Sequence, residues 1–134
     1  MSAVKLLPLA LTGGIMYVLI EFAWRGRSHI SMFFDGGVCF VLIGLLNELA
    51  PAAPVSVQAM LGACTITFSE LTVGLCFNRS YAVWDYRTLQ PNFLGQICLC
   101  YFTLWIPLSV FAVLADDALR YLLFREPWPA YCWL

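Results

Sequence analysis

The chain has 134 residues, of which 62% are hydrophobic, 16% aromatic and 11% charged, with a formal net charge of −1. Soluble domains carry roughly 25% charged residues, so too few charges remain here to cover a water-facing globule. The balance supplies no basic footprint for nucleic acid, and the length suits one compact bundle, a single transmembrane domain over 1–134, with no room for a second domain.

Four apolar stretches fill most of the chain: Leu6–Trp24, Met32–Ala50, Val57–Phe77 and Leu94–Ala115. A bilayer core about 30 Å thick is crossed by about 20 residues of helix, so the composition predicts an all-α, integral membrane four-helix bundle. Lys5 ahead of the first stretch resembles the start of a signal peptide. The stretch exceeds the roughly 7–15 residues of a signal core and lacks a clean small-x-small cleavage site, so it is expected to stay as a helix. Gly13 and Gly14 within it allow a neighbouring helix to approach closely. A short polar loop, 25–31, leads to the second helix, which ends at Asn47 and Glu48. Pro51 and Pro54 mark a tight connection, since proline cannot continue the hydrogen-bond ladder.

After the third helix comes a long loop, 78–92, carrying Trp84, Asp85 and Tyr86. Pro107 is expected to kink the fourth helix. Residues 116–134 mix charges with Tyr121, Trp128, Tyr131 and Trp133. Such aromatics favour the headgroup zone, which predicts an interfacial segment, with Asp116, Asp117 and Arg120 as a solvated helix boundary. Loops one and three share a side holding Arg25, Arg27, Arg79 and Arg87, against Lys5, Arg120 and Arg125 opposite. That bias does not decide orientation by the positive-inside rule.

Six cysteines occur, five of them within the spans. No C-x-x-C pair exists and the lone His29 cannot complete a usual zinc set. The cysteines therefore read as small packing residues, with no metal and no cofactor expected.

Two glutamates stand deep inside apolar stretches, Glu21 in the first and Glu70 in the third. A carboxylate at bilayer depth costs at least about 2.5 kcal/mol on insertion scales and turns towards protein or water. Arg25 follows Glu21 by four residues, the favourable order for a pair on one helix face. Glu70 has no basic residue within a turn, so its partner is Arg25, Arg27 or Arg79, or the group is protonated by burial. A substrate or ion site is thus expected at Glu21, Glu70 and Arg25, with Asn92 and Gln96 either binding a ligand or capping the fourth helix. Arg27, His29, Arg79, Trp84, Asp85 and Tyr86 form the candidate loop or gate. The plainer readings are a local Glu21–Arg25 salt bridge, an interfacial anchor with Asp85 paired to Arg79 or Arg87, and a solvated His29.

The halves also share a pattern. Phe34-Asp-Gly-Gly-Val-Cys-Phe40 after Glu21 matches Phe93-Leu-Gly-Gln-Ile-Cys-Leu99 after Glu70. A duplication of this kind gives two parallel two-helix repeats related by an axis along the membrane normal.

No phosphate-binding G-x-x-x-x-G-K-(S/T), no H-E-x-x-H and no G-x-S-x-G occurs, so the chain is not expected to be an enzyme. The run Glu70, Trp84-Asp85-Tyr86, Pro91-Asn92, Gly95-Gln96-Ile97-Cys98-Leu99 and Trp105 resembles the signature half of the Putative ABC-transporter permease type IV family, small bacterial membrane proteins with vertebrate transmembrane relatives. The first half is similar to members at Glu21-Phe-Ala-Trp-Arg-Gly-Arg-Ser-His29 and Gly36-Gly-Val-Cys-Phe40. The likeness covers Gly13 to about Tyr121. Cys100 departs from it, standing where a proline is expected. The resemblance implies a polytopic helical protein of the bacterial cell membrane. Expected partners are membrane lipids, further copies of the chain or another membrane subunit, and a separate ATPase chain. The function expected is a transport or permeation subunit. The alternatives are a non-transporting regulator or lipid-binding interaction protein, and, third, a lipid-modifying enzyme.

Overall fold

The computed structural model describes residues 3–134. Four helices dominate it: α1 (Ala3–Arg25), α2 (Ile30–Leu49), α3 (Val55–Phe77) and α4 (Leu99–Phe124), with a two-stranded hairpin, β1 (Asn92–Phe93) and β2 (Ile97–Cys98), ahead of α4. All four helices are long and apolar enough to cross a membrane. Leu7, Leu11, Phe34, Val38, Phe68 and Phe111 all lie exposed on the outer surface, an arrangement that hydrocarbon solvates and water does not.

The helices pack in pairs, α1 on α2 and α3 on α4, and α2 also lies against α3 and α4. Gly13 and Gly14 permit the first pairing: a Cβ at Gly13 would sit 2.3 Å from the Phe40 side chain, and one at Gly14 would sit 2.5 Å from the Phe33 carbonyl oxygen. The core between the pairs contains Leu9, Phe40, Ile43, Ala63, Ile66 and Val113. α1 ends where Gly26, at φ +72°, turns the chain and returns its N–H to Phe22 O at 2.9 Å, the left-handed exit that glycine favours. α2 starts at His29, whose Nδ1 accepts from the Ser31 N–H at 3.2 Å.

Helix four departs from its expected bounds at both ends. Leu94 and Gly95 have positive φ, 54° and 64°, and form the tip of the hairpin, with Asn92 opposite Cys98 and Phe93 opposite Ile97. The apolar run from Leu94 therefore begins as a turn, and the helix starts at Leu99. At the far end α4 runs on to Phe124 because its charges are partnered inside the protein. Arg120 is ion-paired to Asp116 and Glu48, and Asp117 accepts from Asn47 Nδ2 at 2.8 Å and from the Tyr131 hydroxyl at 2.9 Å. Asp116 is fully buried and Arg120 only 4% exposed, so this group is a buried network and not the expected solvated boundary. The segment 125–134 folds back over that end, through an ion pair of Glu126 with Lys5 and a bond from Val55 N–H to Cys132 O at 2.7 Å. Burial and the Asp117 carboxylate raise the Tyr131 hydroxyl above its ordinary range, so Tyr131 remains a donor.

The six cysteines are free. Cys39 and Cys98 are buried, whereas Cys64, Cys76, Cys100 and Cys132 are exposed, so only the first two are interior packing residues. The two Phe-x-Gly segments adopt different local structures: Gly36 lies inside α2 against Tyr17, and Gly95 lies in the hairpin turn.

Candidate functional site

A cavity of about 190 Å³ lies between α1 and α4. Glu21 and Arg25 of α1, Met32 of α2, Glu70 of α3, and Tyr101 and Trp105 of α4 line it, and Trp84 and Tyr86 of the long loop complete it. The two acids thus face one space from different helices.

Glu21 is 7% exposed. One of its oxygens pairs with Arg25 and the other accepts from the Ser28 hydroxyl. Arg25 also donates through Nη1 to Val83 O at 2.8 Å, tying the end of α1 to the long loop. Its Nε–H is buried with no hydrogen-bond partner among the described residues. Glu70, 3% exposed, takes no arginine. The Tyr86 hydroxyl donates to Oε1 at 2.6 Å and Trp105 Nε1–H donates to Oε2 at 3.2 Å. None of the candidate partners Arg25, Arg27 and Arg79 bonds to Glu70, which is held by two neutral donors instead. Burial and the nearby Glu70 carboxylate raise the Tyr86 hydroxyl well above its ordinary range, so Tyr86 stays a donor across physiological pH.

The aromatic walls touch one another. Tyr86 stacks on Tyr101 with centroids 4.5 Å apart, Tyr101 lies 5.6 Å from Trp105, and Trp105 lies 6.5 Å from Tyr17. Trp24 Nε1 approaches the Tyr101 hydroxyl at 3.4 Å across the cleft. A smaller void of about 50 Å³ shares Tyr17, Ile20 and Leu108 with the cavity and adds Asp35. Asp35 is 6% exposed and accepts from the Ser69 hydroxyl.

Loop three holds its shape through Asn78, which is fully buried. Its Nδ2 donates to Trp84 O at 2.7 Å and Gln96 Oε1 at 3.1 Å, and its Oδ1 accepts from Val83 N–H at 2.9 Å. Trp84 Nε1–H in turn donates to Gln96 O at 2.9 Å.

Several expected site residues lie outside the cavity. Gln96 is buried within the Asn78 cluster. Asn92 staples the hairpin, donating to Leu89 O at 2.9 Å and accepting from Gly95 N–H at 3.0 Å. Neither caps α4, whose N-cap is Cys98 with no side-chain bond. Arg27 is exposed, His29 caps α2, and Arg79 donates to its own helix at Leu75 O, 2.8 Å away. Asp85 points outward and pairs with Arg87 at 2.7 Å. That pairing holds its carboxyl down at about 2. The sequence reading missed Tyr17, Asp35, Tyr101 and Trp105. Of these, Trp105 carried a signal as part of the family-like run, and Asp35 as an acid within the second apolar stretch. Among the described residues no His, Cys, Asp and Glu side chains group as a metal site.

A family model described as Putative ABC-transporter type IV matches residues 11–126. No curated protein and no solved structure gives a significant match.

Proposed function

Because the chain belongs to the Putative ABC-transporter type IV family, we propose that this membrane, transport-related protein is a permeation subunit whose intramembrane site is built on Glu21 and Glu70. The observation that carries the reading is the shared cavity, in which Glu21 has a local cation and Glu70 has only neutral donors. With both acids ionised, Glu21, Arg25 and Glu70 together carry one negative charge, which a cation, a proton or a basic group neutralises. Ionisable groups at this depth, facing the bundle interior, are the usual markers of such pathways. Trp84 and Tyr86 cover the cavity from the loop, and Asp85 is removed from that role by its outward position.

A cavity of about 190 Å³ does not make a path through one copy, so a second copy or another membrane subunit completes it. The chain has no phosphate-binding loop, and nucleotide hydrolysis would come from a separate ATPase chain. We assign no bond-breaking step to the carboxylates and place the protein in the bacterial cell membrane.

The test is flux in proteoliposomes, with an internal pH dye for protons and rubidium for monovalent cations. Glu70→Gln at normal incorporation should abolish flux that the wild type supports. Undiminished flux in that variant removes the carboxylate from the pathway. A wild type that passes neither probe favours the lipid-binding or regulatory reading, in which the same substitution changes only stability or partner capture.

A further inference from the structure

Resting on the carboxylate site just described, we propose that the cavity recognises an alkylated ammonium group, with aromatic rings and Glu70 together holding a single positive charge. Six aromatic side chains line the space, Tyr17, Trp24, Trp84, Tyr86, Tyr101 and Trp105. Cations are held over such rings within about 6 Å of the centroid, and quaternary ammonium groups are the familiar guests of aromatic cages. A tightly bound metal ion takes several oxygen ligands, whereas most of the lining here is aromatic or aliphatic. An alkylammonium spreads its charge over methyl groups and needs no hydrogen-bond acceptors, so aromatic carbon and one carboxylate suffice.

The charge count agrees. Arg25 neutralises Glu21, and Glu70 stands against the uncharged Tyr86 and Trp105 donors, which leaves room for one monocation. The size agrees too, since about 190 Å³ lies below the roughly 300–1,000 Å³ of pockets that enclose drug-sized ligands. The buried Arg25 Nε–H has no partner among the described residues, and an oxygen on the ligand would satisfy it.

The cation has two possible sources. Ile20 of α1 and Leu104 and Leu108 of α4 flank the cavity. Ile20 and Leu104 are exposed on the outer surface, and a second, smaller void that shares Ile20 and Leu108 is lined by Met16 and Phe111. The ammonium therefore belongs either to a free small solute or to the head of an amphiphile whose chain lies in this apolar groove.

The experiment is a fluorescence titration of the full chain in maltoside micelles, which carry no ammonium group. Trp24, Trp84 and Trp105 line the cavity, so occupancy changes the emission. The probes are choline, octyltrimethylammonium and 3,3-dimethyl-1-butanol, the uncharged isostere of choline. The inference expects saturable binding of at least one cation and none of the isostere. Tyr101→Leu should weaken binding roughly tenfold through loss of a ring, and Tyr101→Phe, which keeps the ring, should stay within about threefold. Glu70→Gln should weaken it further. Binding of choline equal to octyltrimethylammonium assigns a free solute, and binding of the octyl compound alone assigns an amphiphile head.

Equal binding of the isostere overturns the inference, as does cation binding that neither Tyr101→Leu nor Glu70→Gln weakens. The outcome separates from that of the transport reading. Flux lost in Glu70→Gln with no cation binding to the wild type removes the ligand class and leaves the carboxylate pathway. Cation binding without flux does the reverse.

Discussion

Replacing Asn78 with alanine should open the long loop while leaving the helix bundle intact. Asn78 is fully buried, and its side chain serves three buried partners: the Val83 N–H, the Trp84 carbonyl and Gln96 Oε1. A buried polar group stripped of its partner costs about 1–3 kcal/mol, so three groups sharing one lost amide cost roughly 3–5 kcal/mol once partial relaxation is allowed. Folded proteins hold about 5–15 kcal/mol in total, so the loop yields before the bundle does. The readout is hydrogen exchange at amides whose own bonds the substitution leaves alone: Tyr86 N–H to Gly95 O and Gln96 N–H to Phe93 O. A loss of about 3 kcal/mol of local stability speeds exchange roughly a hundredfold. The same opening releases Val83 O, the anchor of Arg25, and the Tyr86 hydroxyl, a donor to Glu70. Wild-type exchange rates at Tyr86 and Gln96 in Asn78→Ala would refute the reasoning.

At the opposite end, Arg120→Met leaves the fully buried Asp116 without its ion pair and should cost about 3–5 kcal/mol, read as a lower unfolding midpoint in mixed micelles. Adding Asp116→Asn should recover part of that loss. Gly44→Ala places a Cβ 2.6 Å from the Asp116 carboxyl and should cost about 1–3 kcal/mol by overpacking, measured by the same unfolding. Asp85 should titrate near pH 2 by carbon-detected NMR, and Arg87→Gln should return it towards the ordinary 3.8. Because the folded value is depressed, whatever this pair contributes is present above the ordinary carboxyl range and is lost as pH falls through about 2. Being exposed, it should leave the thermal midpoint unmoved at pH 7.

The four spans are legible in the sequence because length and apolarity alone decide what hydrocarbon will solvate. The bounds of α4 are less legible for two separate reasons. Leu94 counts as apolar in any window, and its left-handed backbone in the hairpin leaves no trace in hydropathy. Asp116, Asp117 and Arg120 look solvated when read along one helix, because Glu48, Asn47 and Tyr131, which satisfy them, lie far away in sequence. The acids of the cavity are legible because a charge inside an apolar run stands out, and Arg25 follows from helical spacing. Tyr17 and Tyr101 are silent, since an aromatic on an apolar helix reads the same whether it packs in a core or lines a cavity, and Trp105 stands out only through the family-like run. Asn92 and Gln96 mislead in the other direction. Polar side chains beside a helix entrance look available for a ligand, whereas here the hairpin and Asn78 already use them.

The measurement closest to the central claim is flux through proteoliposomes holding equal amounts of wild type, Glu70→Gln and Asp85→Asn. Both substitutions remove one carboxylate, the first from the cavity wall and the second from the exposed loop. The account predicts that wild type and Asp85→Asn carry the probe alike and that Glu70→Gln does not. Equal flux in all three, or loss in Asp85→Asn alone, would contradict it.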